Sequence, residues 1–321
     1  MRRNLIVVVG ALLGACALSL LAPARVWAFC RTTTCGDTCN PPDADCVTNQ
    51  LPNIPLFWAD SCVSYDLQQD ASKWASLDVA TTIVDTVFAT WTGVTCDGQP
   101  LSITSMNRGP VVCAAREFND GQKTAGGNAN IIVFRDDTWP ESAVSDPTST
   151  LALTTVTYNK TNGQIVDADI EINGSQAPLS TDDAGGGTAF DLQSILTHET
   201  GHFFGMAHST VTCMTDGSDC PSMNAHYRPG SIAYRTLEDD DKAGICAIYP
   251  PGRAATDNSC LPIDGFSAVC GHKPDSPQGG CALAGGGSDR RGGGLATLLV
   301  MTLALSLARS RRACKAAVKR L

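Results

Sequence analysis

His198 and His202 stand four residues apart and bracket a carboxylate in the segment His198-Glu199-Thr200-Gly201-His202. Residues four apart share one face of a helix, so both imidazoles can hold one metal ion while Glu199 reaches a water beside it. The continuation Phe203-Phe204-Gly205-Met206-Ala207-His208 supplies a third imidazole. Gly205 can adopt the left-handed backbone that ends the helix and turns His208 back toward the other two. Three neutral imidazoles leave one position of a tetrahedral zinc ion open, which is the arrangement of a catalytic site and not of a structural one. The chemistry expected of this set is attack of water on a polarised carbonyl. Glu199 would act as general base and then as proton donor to the departing amine, cleaving a peptide bond without a covalent intermediate. The plain alternative is a group of unrelated surface or core histidines. It is set aside because three of only five histidines fall in this register, with Glu and Gly also in place. His226 and His272 lie outside the pattern and are assigned no ligand role.

The elements that must position these residues follow from periodicity and punctuation. A Gly run at 184–187 leads into a helix expected over 190–204, with Asp191 near its start. Leu77, Ala80, Ile83, Val84, Val87, Phe88 and Trp91 recur at helical spacing within 71–92, predicting an amphipathic helix packed on a sheet. A third helix is expected over 237–249, with acidic residues in its first turn and Pro250-Pro251 as its stop. Strands are expected at 101–106, 131–134, 152–158 and 165–172, the last two joined as a hairpin by a turn ending in Asn162-Gly163. In the last strand Val166, Ala168, Ile170 and Ile172 alternate with Asp167, Asp169 and Glu171. The reading is a core face and an acidic, solvated face; oxygen ligation of calcium by the acidic face is the alternative.

The residues 198–209 fit the form HExGHxxGxxHS, and at this point the chain resembles the metzincin clan of zinc peptidases and within it the matrixin family. Ser209 after His208 is the matrixin choice. Met223, in Pro221-Ser222-Met223-Asn224-Ala225-His226-Tyr227, resembles the Met-turn. Leu237 to Ile245 and Tyr249 are similar to the family's last helix with its paired aspartates, and Trp91 and Val94 to the end of its first. The resemblance spans 54–250. It implies an α/β (α+β) metzincin-like fold: a twisted, mostly parallel sheet with one antiparallel edge strand, three helices, and a zinc cleft between sheet edge and Met-turn. It also implies one catalytic zinc, protein or peptide substrates, an apolar floor from Met223 beneath the metal, and Tyr227 in the wall of the S1′ pocket. Two departures stand out. No histidine precedes His198, so a second, structural zinc built from upstream histidines is not expected. The arm before Asn53 is also short for a matrixin propeptide.

Around this domain the composition speaks of export. Arg2 and Arg3, the apolar run 5–22 and Val26-Trp27-Ala28 read as a signal peptide over 1–28, with lipidation at Cys16 as the alternative. Fifteen cysteines in 321 residues suit an oxidising compartment. Cys96 with Cys113, Cys213 with Cys220 and Cys260 with Cys270 are the pairings suggested by proximity along the chain. The Cys-rich arm 29–53 is read as stapled loop, with a metal cluster of Cys30, Cys35, Cys39 and Cys46 as its alternative. A net charge of −9, with no basic stripe before the last dozen residues, excludes a nucleic-acid partner on electrostatic grounds. Residues 251–279 read as linker. Residues 280–321 combine Gly280-Cys281, a Gly-rich spacer, an apolar run at 295–308 and a cluster of Arg and Lys. That run is shorter than the roughly 20 residues needed to span a bilayer. The segment resembles the C-terminal sorting signals of exported myxobacterial proteins, which implies transient membrane association and a destination at the cell surface or outside. A non-catalytic zinc-binding surface protein on the same fold is the competing function, and retention of Glu199 favours the enzyme.

Overall fold

The computed structural model describes residues 28–34, 54–116, 118, 127–140, 146–176, 178–183, 187–211, 213 and 220–269, together with the backbone of 314–320. The leader through residue 27, Cys35, Cys39, Cys46, Cys270 and the tail over 280–313 lie outside the described residues.

In chain order the elements are β1 (Cys30–Arg31), β2 (Phe57–Trp58), β3 (Cys62–Gln68), α1 (Leu77–Thr92), β4 (Thr95–Cys96), β5 (Gln99–Pro100), β6 (Thr104–Val111), β7 (Ile131–Phe134), β8 (Ala152–Asn159), β9 (Gln164–Ile172), β10 (Leu179–Ser180), β11 (Phe190–Asp191), α2 (Leu192–Phe203), β12 (Met206–Ala207), α3 (Asp239–Ile248) and β13 (Cys314–Arg320). The main sheet runs β13-β8-β9-β7-β3-β6, with β2 also paired to β9. The pairings β3–β6, β3–β7, β7–β9 and β2–β9 are parallel. Only β8, against β9, and β13, against β8, run antiparallel. The expected mostly parallel sheet with an antiparallel border and three helices is therefore present. The turn between β8 and β9 is closed by the Gly163 N–H donating to Asn159 O at 2.9 Å. Gly163 has φ +75°, and a Cβ there would meet Pro55 O at 2.4 Å. Both facts require glycine.

One face of the sheet packs on the helices. Val63, Tyr65 and Leu67 of β3 join Val84, Val87, Phe88 and Trp91 of α1 in the main core, with the Tyr65 and Phe88 rings stacked at 3.8 Å. Helix α1 starts at Leu77, later than its periodicity suggested, because Ser76 takes the N-cap and its hydroxyl accepts from Val79 N–H. Strand β3 was not anticipated from sequence, and the strand expected at 101–106 lies at Thr104–Val111, in parallel register with it.

The acidic face of β9 is not solvated, which corrects the sequence reading. Asp167, Asp169 and Glu171 are all buried. A small cluster of Val111, Cys113, Ala129, Ile131 and Val133, with Phe266 and Ala268 against it, lies on this side of the sheet. Asp169 accepts from Ile131 N–H at 2.8 Å, and Glu171 accepts from the Arg135 guanidinium, with Arg116 3.7 Å away. The protein's own donors thus use these two carboxylates.

On β3, both oxygens of buried Asp66 lack a hydrogen-bond partner, and burial pushes its pKa up to about 7. A carboxylate raised in the fold stabilises it below its unfolded pKa near 4, and that contribution is lost as pH rises through about 7. The stability of Asp66→Asn relative to the parent should therefore rise by roughly 2–4 kcal/mol between pH 4 and pH 8. Urea unfolding of both proteins at the two pH values checks this; an unchanged difference would refute it.

Two of the proximity pairings are corrected as well. Cys96 bonds Cys246, and Cys260 bonds Cys62, while Cys213 bonds Cys220 as expected. Cys113 is itself in a disulfide. The long bridges staple β3 to the segment after α3, and β4 to α3, because segments far apart in sequence are neighbours in the fold.

Candidate metal centre

Asp191 caps α2, its carboxylate accepting from Ser194 N–H at 2.8 Å. The helix is buried along almost its entire length, which places His198, Glu199 and His202 out of solvent. It ends at Phe203, and Gly205 follows with φ +93°; a Cβ there would meet Leu56 O at 2.8 Å. The chain then turns through β12, and His208 comes back to the helix face, as expected from the glycine.

The three imidazoles converge. His202 Nε2 lies 3.1 Å from His198 Nε2 and 3.3 Å from His208 Nε2. Nitrogens about 2.0–2.1 Å from a tetrahedral zinc ion stand about 3.3 Å apart, so this spacing fits the ion. The opposite ring atoms are occupied: Nδ1 of His198 faces Ser222 O at 2.6 Å and Nδ1 of His202 faces Met206 O at 2.9 Å. Donation to these carbonyls places the proton on Nδ1 and leaves the Nε2 lone pairs for a metal. Burial, and the proximity of His198 and His208, hold the His202 pKa well below its usual value, so the ring is neutral, as ligation requires.

Glu199 is fully buried. The Thr154 hydroxyl on β8 donates to its Oε2, while Oε1 accepts no hydrogen bond. Burial pushes its pKa up to about 8, against the opposing effect of the Thr154 bond. Positive charge at the point where the Nε2 atoms converge favours the ionised form. An orphaned carboxylate oxygen next to three inward-facing imidazoles fits a metal and a water, and fits an apolar core poorly.

Against α2 at Gly201 lies Met223, with no exposed surface. Its Sδ would be 2.1 Å from a Cβ on Gly201, and Trp91 Cζ2 2.9 Å from it. Met223 therefore reaches the underside of α2 because residue 201 has no side chain. Its loop is held by Asp241 of α3, which accepts from Ser222 N–H at 2.7 Å and Met223 N–H at 3.2 Å. The neighbouring Asp240 accepts from the Ser209 hydroxyl at 2.7 Å. The paired aspartates thus tie α3 to both sides of the cluster. Tyr227 packs on Phe190 at 5.8 Å and lines a cleft of about 600 Å³ with Leu151, Pro178 and Ala225. His226 stands on the rim of that cleft, away from the three imidazoles.

Thr154, Asp191 and Asp241 were not singled out as site residues from sequence. Thr154 carried the best clue, being a hydroxyl on the apolar face of β8 between Ala152 and Val156.

No curated protein sequence matches the chain. The matrixin family model, Peptidase_M10, matches residues 57–250, well over half of the 321 residues, and it encloses the helix, the three-histidine cluster and Met223. On that coverage and that cluster, the chain belongs to the matrixin family of zinc metallopeptidases.

Proposed function

We propose that the chain is an exported endopeptidase that cleaves within protein or peptide chains at a single zinc ion. The observation that carries this reading is the convergence of three Nε2 atoms, two of them on buried and one on a half-buried imidazole, beside a buried carboxylate with one oxygen uncommitted. His198, His202 and His208 are the ligands, and Met223 is the apolar floor under them. Zinc bound there supplies a Lewis acid and an acidified water. Glu199 accepts the proton of the attacking water at Oε1 and passes it to the departing amine, while Thr154 keeps Oε2 in place. Exclusion of water from the buried helix face strengthens each of these charge interactions. Tyr227 and Phe190 receive a substrate side chain in the cleft.

Export is supported by the leader at 1–28 and by the disulfides, which belong to an oxidising compartment. The tail from Gly280, with Cys281 as its processing or attachment point, would bring the protein to the cell surface; among the described residues no helix is long and apolar enough to cross a membrane.

The test pairs metal analysis with cleavage of casein by the purified chain, with and without a zinc chelator. One zinc per chain, with cleavage that stops on chelation and returns on adding zinc, is expected. Absence of zinc would overturn the site, and bound zinc without cleavage would favour a surface binding protein that keeps the fold.

A further inference from the structure

Strand β1 lies upstream of the residues that the family model matches, yet it is built into the turn that carries two of the three imidazoles. It pairs antiparallel with β12, Cys30 opposite Ala207 and Arg31 opposite Met206. Strand β12 is the link between His202, near the end of α2, and His208.

Thr32, the residue after β1, is buried and is tied at three points. Its N–H donates to Gly205 O at 2.9 Å, and its carbonyl accepts from Leu56 N–H at 2.8 Å. Its hydroxyl donates to Met206 O at 2.8 Å. Met206 O is also the atom that faces His202 Nδ1 at 2.9 Å. A backbone carbonyl has two lone pairs, so the imidazole and the hydroxyl can both donate to it, and the two bonds together fix where the oxygen stands.

That oxygen needs fixing. It follows Gly205, whose φ of +93° lies where glycine moves freely, and no bond from α3 to Met206 holds it among the described residues. The carbonyl that orients His198 is secured differently: Ser222 is held by its N–H to Asp241 of α3, and by its hydroxyl to Thr236 O at 3.0 Å. The N-terminal arm thus does for His202 what α3 does for His198. A buried hydroxyl needs only some acceptor; this one has the carbonyl on which a metal ligand depends.

We infer that Thr32 is a positioning residue for the metal: by holding Met206 O it keeps His202 in its ligating orientation and slows the loss of zinc. The inference rests on the metal reading of the three imidazoles and on no cleavage of any substrate.

The experiment uses the zinc-loaded full chain and follows transfer of zinc to an excess of a chromogenic chelator. Two pairs isolate the hydroxyl. The parent and Thr32→Val have side chains of similar shape, and Thr32→Ser and Thr32→Ala both lack the methyl group. Within each pair the protein without the hydroxyl should release zinc about tenfold faster, since partners that orient a ligating histidine are worth about 10–100-fold in metal affinity. Thr32→Ser should stay close to the parent. Cobalt-substituted proteins give a second readout, because the visible absorption of the ion follows its ligand geometry. The spectra of the valine and alanine variants should depart from the parent's, and that of the serine variant should coincide with it. Equal release within either folded pair, or one cobalt spectrum common to all the variants and the parent, would overturn the inference. If the valine variant does not fold, the serine and alanine pair decides. Failure of both hydroxyl-free variants to fold, beside a folded serine variant, would assign the hydroxyl to folding and overturn the inference as well. A parent that takes up neither zinc nor cobalt would sink the metal reading itself, and this inference with it.

Discussion

Replacing Glu199 with alanine is expected to lower kcat/KM for peptide cleavage by about 10³-fold while the protein keeps one zinc per chain. The size follows from the share that a positioned general acid–base contributes, about 10²–10⁴-fold. Retention of the metal follows from geometry, because the proposed ligand atoms are the three Nε2 nitrogens, and Ser222 O and Met206 O, which orient His198 and His202, are not part of the carboxylate. The fold should tolerate the change, since a carboxylate buried enough to titrate near 8 costs desolvation when ionised. His202→Ala is the counterpart: it removes the nitrogen that stands 3.1 and 3.3 Å from both others and should lose zinc together with activity. Metal analysis beside casein hydrolysis separates the two. Zinc loss in Glu199→Ala, or turnover close to that of the parent, would contradict the roles assigned here.

The parts of this site legible in the sequence were those set by local rules. The i, i+4 pair, the intervening carboxylate and the glycine that ends the helix are all written within eleven residues, and helix periodicity fixes their mutual direction. The β8–β9 hairpin was legible for the same reason, through alternation around Asn162-Gly163. What failed depended on contacts between distant segments. Strand β3 alternates Val63, Tyr65 and Leu67 with Ser64, Asp66 and Gln68, yet both sets are buried, and a short strand beginning at a cysteine gave little punctuation to mark it. The acidic side of β9 was assigned to solvent because the covering segment beyond Cys260 and the arginines at 116 and 135 cannot be placed from local pattern. The disulfides erred likewise, with true partners 150 and 198 residues apart. Thr154 and Asp241 act on the site from β8 and α3, through bonds that only the packed sheet and helices create.

Adding one methyl group at Gly201 is the most demanding test of how the site is built. Alanine favours a helix interior over glycine by about 1 kcal/mol, so local propensity alone makes Gly201→Ala stabilising. The tertiary contacts point the other way. The new Cβ would stand 2.1 Å from Met223 Sδ and 2.9 Å from Trp91 Cζ2. Trp91 cannot yield easily, because its Nε1 donates to Thr197 O at 2.8 Å inside the core. Met223 is flexible by chemistry, but it is fully buried and its backbone is tied to Asp241. Overpacking of this kind costs about 1–3 kcal/mol net of relaxation, and in a domain of this size each kcal/mol moves Tm by about 2–4 °C. The variant should therefore melt about 2–12 °C lower. Zinc affinity should fall by at least an order of magnitude, since the displaced turn also carries Ser222, whose carbonyl orients His198. Removing the sulfur in Gly201→Ala/Met223→Ala should restore part of the zinc affinity without restoring full stability, because the contact with Trp91 persists and a cavity replaces the thioether. Zinc titration and thermal melts of the two variants read these effects separately. Parental zinc affinity and Tm in Gly201→Ala would show that the helix and the methionine turn can separate without cost, and that the close approach at residue 201 is not what holds His198 in place.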